Sequence, residues 1–233
     1  MAEKYLEFEQ DGVKYNLYDM PKGFIIKGDL ELINKGLTEL PDLSEVIVEG
    51  SFDCSKNKLT TLKGAPKEVG GDFKCFKNQL TTLEGAPNEV GGHFTCSRNK
   101  LITLKGAPRE VGGYFGCSEN ELTTLKGAPK EVVREFSCDG NRLKSLLHLP
   151  KIKEEGRIYC DDELAQKYGI SKGEFTANEL NESSLYQNEV KIYKLRLQKS
   201  QERAEKQEQA TKDIRAKFAA WQARQTQKDG PEK

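Results

Sequence analysis

The segment Phe73–His93, FKCFKNQLTTLEGAPNEVGGH, is followed by FTCSRNKLITLKGAPREVGGY and then by FGCSENELTTLKGAPKEVVRE. A unit rewritten at a fixed period does not fold around one unique centre. It predicts coils stacked along an axis, each hiding its apolar edge against the next. All the cysteines obey the period: Cys54, Cys75, Cys96, Cys117, Cys138 and Cys160, 21 residues apart and 22 at the last step. Two residues before them stand Phe52, Phe73, Phe94, Phe115, Phe136 and Ile158, and three after the first five stand Asn57, Asn78, Asn99, Asn120 and Asn141. Leucines follow five and eight residues after each of these cysteines. GAP comes next in four coils, with Val69, Val90, Val111 or Val132 three residues beyond its proline.

Phe-x-Cys is period two, so Phe and Cys face one side of a short strand and the intervening residue faces the other. The Asn turns the chain and has an amide able to satisfy backbone groups of a neighbouring coil. GAP closes the far side, since Gly permits a tight bend and Pro fixes φ. VGG returns the chain with no side chain in the way. Upstream, Leu30, Leu32, Leu37 and Leu40 occupy the same slots in a degenerate first coil, with Lys35 in place of Asn.

The frame F-x-C-x-x-N-x-L-x-x-L matches the core pattern of a leucine-rich repeat. GLTELPDL resembles the short repeats of bacterial effector proteins. The form GAPxEVGGxFxCSxNxLTTL resembles leucine-rich-repeat-like proteins of bacteriophage and bacterial genomes, over about residues 28–160. The expected fold class is an α/β solenoid: a leucine-rich-repeat parallel-strand stack with a small N-terminal cap and a long C-terminal helix. The resemblance implies a scaffold and no particular reaction.

Terminal coils need caps. Residues 1–27, rich in Tyr, Phe, Leu and Val, are expected to form a strand-rich N-terminal cap, and residues 28–160 the solenoid. Residues 161–183 are read as a C-terminal cap and linker, in which DDELAQKYGI is a short helix and Glu163 takes the Asn slot. Residues 184–228 are read as a long helix, and 229–233 as a tail. No apolar run approaches the roughly 20 residues that span a bilayer, and MAEKYLEFEQ lacks the apolar core of a signal peptide. The expectation is a cytoplasmic protein, in a bacterial or phage-infected cytosol, without membrane contact.

The cysteine series raises three readings. Zinc sites use cysteines a few residues apart, and none here are closer than 21. Stacked coils would set neighbouring cysteines about 4.8 Å apart. Their side chains would nevertheless run in parallel, and a cytosol disfavours oxidation. The expectation is a small apolar filler beside Phe, reduced and buried.

No catalytic residues and no cofactor are expected. His93 and His148 are the two histidines, and neither falls into a recognisable nucleophile–base pattern. VGG precedes a strand rather than a helix, so it is no phosphate loop. Some bacterial leucine-rich-repeat effectors carry a ubiquitin-ligase domain with a catalytic cysteine. This chain has no cysteine after Cys160.

Two surfaces remain. The slots beside the core Phe and Cys vary from coil to coil, which fits either partner binding or drift at exposed sites. Phe76, His93, Arg98 and Tyr114 are the candidate binding residues there, since aromatics and Arg dominate interface hot spots. The second surface is the segment from Ser184, where Ser184 and Gln187 are read as a capping box. Tyr186, Val190, Tyr193, Leu197, Ser200, Ala204, Gln207, Thr211, Ile214, Phe218, Trp221 and Gln225 alternate four and three apart, a heptad seam. Leu185, Ile192 and Leu195, off the seam, are expected to anchor its near end. Ile214, Phe218 and Trp221 have the spacing of a helix that docks in a groove.

These features point to a non-enzymatic protein-interaction module, with a protein partner on the repeat face and helix, or a homo-oligomer through the helix. From Ser184 onward the chain carries twelve Lys and Arg against seven Asp and Glu. A nucleic-acid-associated protein is therefore the alternative, weakened because the charges alternate rather than cluster. A structural subunit of a phage particle or assembly complex would use the same surfaces.

Overall fold

The computed structural model describes residues 6–153 and 156–228; within the last helix, the side chains of 213, 214 and 217–228 lie outside the description. The chain divides into two compact units, Met1–Tyr186 and Gln187–Lys233. The first is a parallel-strand β-solenoid. It is mostly sheet, and its α-helices lie after the last coil rather than within the coils.

Each coil contributes two strands, one more than the sequence pattern announces. The first is the Phe strand, exemplified by Phe73–Lys74, Phe94–Thr95 and Phe115–Gly116. The second is the Val strand, exemplified by Glu68–Val69, Glu89–Val90 and Glu110–Val111. They stack into an 8-stranded and a 7-stranded sheet. Both are in register: Phe94 pairs with Phe73 and Phe115, and Glu110 with Glu89 and Glu131. Ile25–Ile26, inside the segment read as a cap, is the first strand of the Val sheet and pairs with Ile47–Val48.

The core is a set of rows. Phe73, Phe94, Phe115 and Phe136 lie fully buried, ring on ring, at centroid spacings of 5.1, 5.4 and 5.5 Å and interplanar angles of 12°, 6° and 6°. Beside them run the cysteines and the Leu pairs, also buried, and the valines close the core from the second sheet. Each fully buried Phe, Leu or Val contributes about 1.5–3 kcal/mol.

The asparagines tie the rows together as expected. Asn78 accepts from the Leu59 N–H at 3.0 Å in the coil before it. Its Nδ2 donates to the carbonyls of Cys54 and Cys75 at 3.0 and 3.1 Å. Asn99, Asn120 and Asn141 repeat the pattern. The residue before each Asn is left-handed: Lys56, Lys77, Arg98 and Glu119 have φ of 54–57°, and Gly140 has 65°. That conformation costs a non-glycine residue about 1–2 kcal/mol. Asn78→Ala should therefore cost about 2–4 kcal/mol in urea unfolding, by stranding buried backbone groups. Asn78→Asp should cost at least as much, since it turns an acceptor on two carbonyls.

The glycine pair is dictated by close stacking. A Cβ on Gly91 would lie 2.1 Å from the Gly70 carbonyl oxygen. GAP forms a tight turn in which Ala86 N–H donates to Leu83 O at 3.0 Å, around a Gly85 with φ 99°. In the last coil His148 takes that glycine slot, at φ 71°.

Both ends are closed. At the start, Glu7–Gln10 and Val13–Asn16 form an antiparallel hairpin whose Phe8 and Tyr15 cluster with Phe24. The Gln10 side chain donates to Ile25 O at 3.2 Å and accepts from Lys27 N–H at 2.8 Å, standing in for a strand along the Val-sheet edge. At the other end, helix α1 (Asp162–Lys167) follows Cys160, and the Tyr168 hydroxyl accepts from Leu146 N–H at 3.0 Å. The strand Glu174–Thr176 then pairs antiparallel with Arg157–Tyr159 and buries Phe175. Helix α2 (Ala177–Glu182) starts with the capping box Thr176/Glu179. Helix α3 (Ser184–Lys228) is 45 residues long. Its first turn is capped one residue earlier than expected, since Tyr186 N–H donates to Ser183 Oγ at 3.4 Å.

All six thiols are free and buried. Cys96 and Cys117 donate to the next coil's carbonyls, Gly116 O at 3.3 Å and Ser137 O at 3.2 Å. Burial pushes each thiol up, Cys160 to about 12. The unfolded thiol ionises near 8.5, so the unfolded chain loses protons first. The contribution to stability is complete below about pH 8.5 and declines above it, by about 1 kcal/mol per cysteine at pH 9.5. Urea unfolding at pH 8 and 9.5 should show this fall, and the pair Cys75→Ala, Cys117→Ala should make it shallower. An unchanged slope would mean that the thiols ionise in the native protein.

Candidate partner-binding face

The outward residues of the Phe sheet stand in three rows: the slot before Phe, the slot between Phe and Cys, and the slot after Cys. Asp72, His93 and Tyr114 belong to the first row, Lys74, Thr95 and Gly116 to the second, Phe76, Ser97 and Ser118 to the third.

The first row is a hydrogen-bond ladder. Asp29 Oδ1 accepts from Ser51 N–H at 2.7 Å, Ser51 Oγ from Asp72 N–H at 3.1 Å, Asp72 Oδ1 from His93 N–H at 2.8 Å, and His93 Nδ1 from Tyr114 N–H at 2.8 Å. Each side chain is an acceptor for the same slot one coil on. His93 must therefore carry its proton on Nε2. Burial works to raise the Asp72 carboxyl, but the His93 N–H and the Lys74 ammonium at 3.2 Å leave it below its ordinary value.

Tyr114 ends the ladder differently. Its ring lies across Gly116, where a Cβ would come within 2.4 Å of the phenol oxygen. Burial raises the phenol above its ordinary value, and a bond with Ser137 offsets part of that. Ser137 belongs to a buried hydroxyl cluster: Ser118 Oγ and Ser137 Oγ are 2.6 Å apart, and both donate to Asp139 Oδ1, at 2.6 and 2.7 Å. Thr95 Oγ1 is buried without a hydrogen-bond partner among the described residues.

Of the candidate binding residues, the structure brings His93 and Tyr114 together, edge to face at 6.3 Å. Phe76 is half-buried two pleats away, about 13 Å along the strand direction. Arg98 is exposed and paired with Glu119 at 2.7 Å. On α3, Ile214, Phe218 and Trp221 lie outside the described side chains. Leu185, Ile192 and Leu195 are exposed, and Tyr186 packs on Tyr168 at 5.7 Å.

The pattern in the sequence did not reveal a groove of about 850 Å³ on the Val sheet. Gly70, Gly91 and Gly112 line it together with Glu68, Glu89, Glu110 and Glu131. Lys67 and Arg109 lie 3.7 and 3.4 Å from two of these carboxylates. The signal for it in the sequence is the repeated PxEV, whose Glu stands beside the inward Val in each coil. Among the described residues no three His, Cys, Asp or Glu side chains are grouped to hold a metal ion, and no helix is long and apolar enough to cross a membrane. The sequence matches no protein-family model, no curated protein and no solved structure.

Three substitutions at two positions test the structural roles on this face. Thr95→Val should raise stability by about 1 kcal/mol, because it removes an unpaired hydroxyl at constant shape. His93→Leu should cost about 1 kcal/mol, while His93→Asn, which can still accept from Tyr114, should restore most of it. Thermal melts of the three variants measure both.

Proposed function

We propose that this chain is a non-enzymatic protein-interaction module, a repeat platform with a helical arm, acting in a bacterial or phage-infected cytosol on a protein partner. The observation that carries the reading is the apolar surface of α3. Leu185, Ile192, Leu195 and Leu197 make up four of the eight large apolar residues exposed among the described residues. A helix with apolar residues left open to water is the form a docking element takes. Phe76 and Tyr114 supply the aromatic contacts of the repeat face.

Size-exclusion chromatography with light scattering, at low and high salt and with and without duplex DNA, tests this. The expected result is a protein complex that persists at high salt and is lost on truncation after Tyr186, which removes Ile192, Leu195 and Leu197, with the solenoid still folded. DNA binding that collapses with salt, and no salt-resistant protein complex, would replace this reading with the nucleic-acid alternative.

A further inference from the structure

The outward residues of the Val sheet form one row along the stack, at steps of about 4.8 Å. Ile25 and Ile47 come first, then Glu68, Glu89, Glu110 and Glu131. Lys151 ends the row. Ile25 is 45% exposed, so the row opens apolar and continues acidic. Lys67 and Arg109 reach Glu68 and Glu110 from the adjacent position of the same coil, as largely exposed pairs that yield at little cost. Helix α3 carries a stripe of the converse kind. Leu185, Ile192, Arg196, Lys199, Arg203 and Lys206 fall on one side of it, at steps of seven, four, three, four and three. All are exposed, as is Leu195 at the edge of the stripe, while Glu205 and Glu208 lie on the opposite side. The charge of the chain is divided in the same sense. The segment from Ser184 holds twelve Lys and Arg against seven Asp and Glu, and the residues before it hold 25 against 30.

We propose that this stripe of α3 docks along the Val-sheet row of a second copy of the chain. The proposal rests on reading α3 as an interaction arm and names the arm's seat. Pitch and order both match. Arg196 to Lys206 spans ten residues, about 15 Å of helix, and Glu68 to Glu131 spans three steps, about 14 Å. Side by side, Arg196 faces Glu68, Lys199 faces Glu89, Arg203 faces Glu110 and Lys206 faces Glu131. Ile192, one turn before Arg196, then falls at Ile47, one coil before Glu68, with Leu195 beside it. The opposite direction lays Ile192 on Lys151, so the pattern selects one orientation. The arm of the same chain cannot adopt it. Tyr186 packs on Tyr168, whose hydroxyl is held by Leu146 N–H in the coil that ends at Lys151. Ile192 follows Tyr186 by six residues, about 9 Å of continuous helix. Ile47 stands five steps before Lys151, about 24 Å. The arm of another copy meets no such limit.

The test uses three full-length variants. The first reverses the row, with Glu89→Lys and Glu131→Lys. The second reverses the stripe, with Lys199→Glu and Lys206→Glu. The third, Lys191→Glu with Lys194→Glu, makes the same charge change on another side of the helix. In sedimentation equilibrium the wild-type chain should be self-associated at about 100 µM. The row variant and the stripe variant, each alone, should associate at least about tenfold more weakly. Their equimolar mixture should regain wild-type affinity, since reversed row then meets reversed stripe and unchanged row meets unchanged stripe. The third variant alone should associate as the wild type does. Circular dichroism checks that all three keep their fold. A wild-type chain monomeric at that concentration, a mixture no tighter than its components, or a third variant weakened as much as the second overturns the proposal. A monomer that still loses another protein partner on truncation after Tyr186 sinks the self-docking and keeps the arm. Indifference of every association to that truncation sinks both.

Discussion

As each coil leaves its Phe strand it presents two carbonyls and one N–H that no strand can pair, and a single Asn amide answers all three. In Asn78 the oxygen takes the Leu59 N–H while the nitrogen spans Cys54 and Cys75, so one side chain binds its own coil to the coil before it. The geometry requires a left-handed residue just ahead of the Asn, and Lys77 adopts it at φ 54°. A strain of about 1–2 kcal/mol is thus accepted at each turn, against buried hydrogen bonds whose loss would cost more. Everything else in the solenoid inherits this spacing: the ring stack of the phenylalanines, the thiols aimed at the next coil's carbonyls, and the glycines with no room for a Cβ.

The same constraint shapes the outer face. Because coils stack in register, a polar side chain in one coil finds the same backbone N–H of the next coil always within reach. Asp29, Ser51, Asp72 and His93 are chemically unlike, yet all are acceptors, and all perform this one task. Variation along that row is therefore chemical variety within a single structural role. The middle and third rows carry less backbone duty. There Thr95 keeps a buried hydroxyl without a partner, and Phe76 presents an aromatic ring with no ladder to support.

How much of this could be read beforehand follows from which features repeat as residue types. The inward Phe and Cys, the bridging Asn, the GAP turn and the 184–228 helix all stand in the sequence as fixed letters at fixed intervals. The Val strand was hidden because its inward residue has no apolar partner two positions away: Lys67 and Gly71 flank Val69, whereas Phe73 is followed by Cys75. The left-handed turn was hidden because Lys, Arg and Glu occupy it in four coils, and Gly140 alone carries its usual signal. The ladder was hidden because its slot is filled by different residues with a common acceptor. Of the candidate site, the reach from His93 to Tyr114 was legible from their shared slot. The seat of Tyr114 across Gly116 was not, since it depends on which way a ring turns.

A stack of identical coils has two ends that invite more coils, and this chain closes them by different means. At the start, Gln10 turns its side-chain amide onto Ile25 and Lys27, using the C=O and N–H that a preceding strand would have used. At the finish, Glu174–Thr176 runs antiparallel to the last Phe strand, so a further parallel coil meets the wrong hydrogen-bond pattern. End-to-end growth, the hazard of open sheet edges, is opposed at both positions. On the reading proposed above, contacts with other molecules fall to the sides of the stack and to α3. On those sides the first row of the Phe sheet is already engaged in holding coils together. Of the large apolar residues exposed among the described residues, Val13, Tyr18, Ile25 and Ile102 belong to the first unit, and Leu185, Ile192, Leu195 and Leu197 stand on α3, where covering them disturbs no ladder.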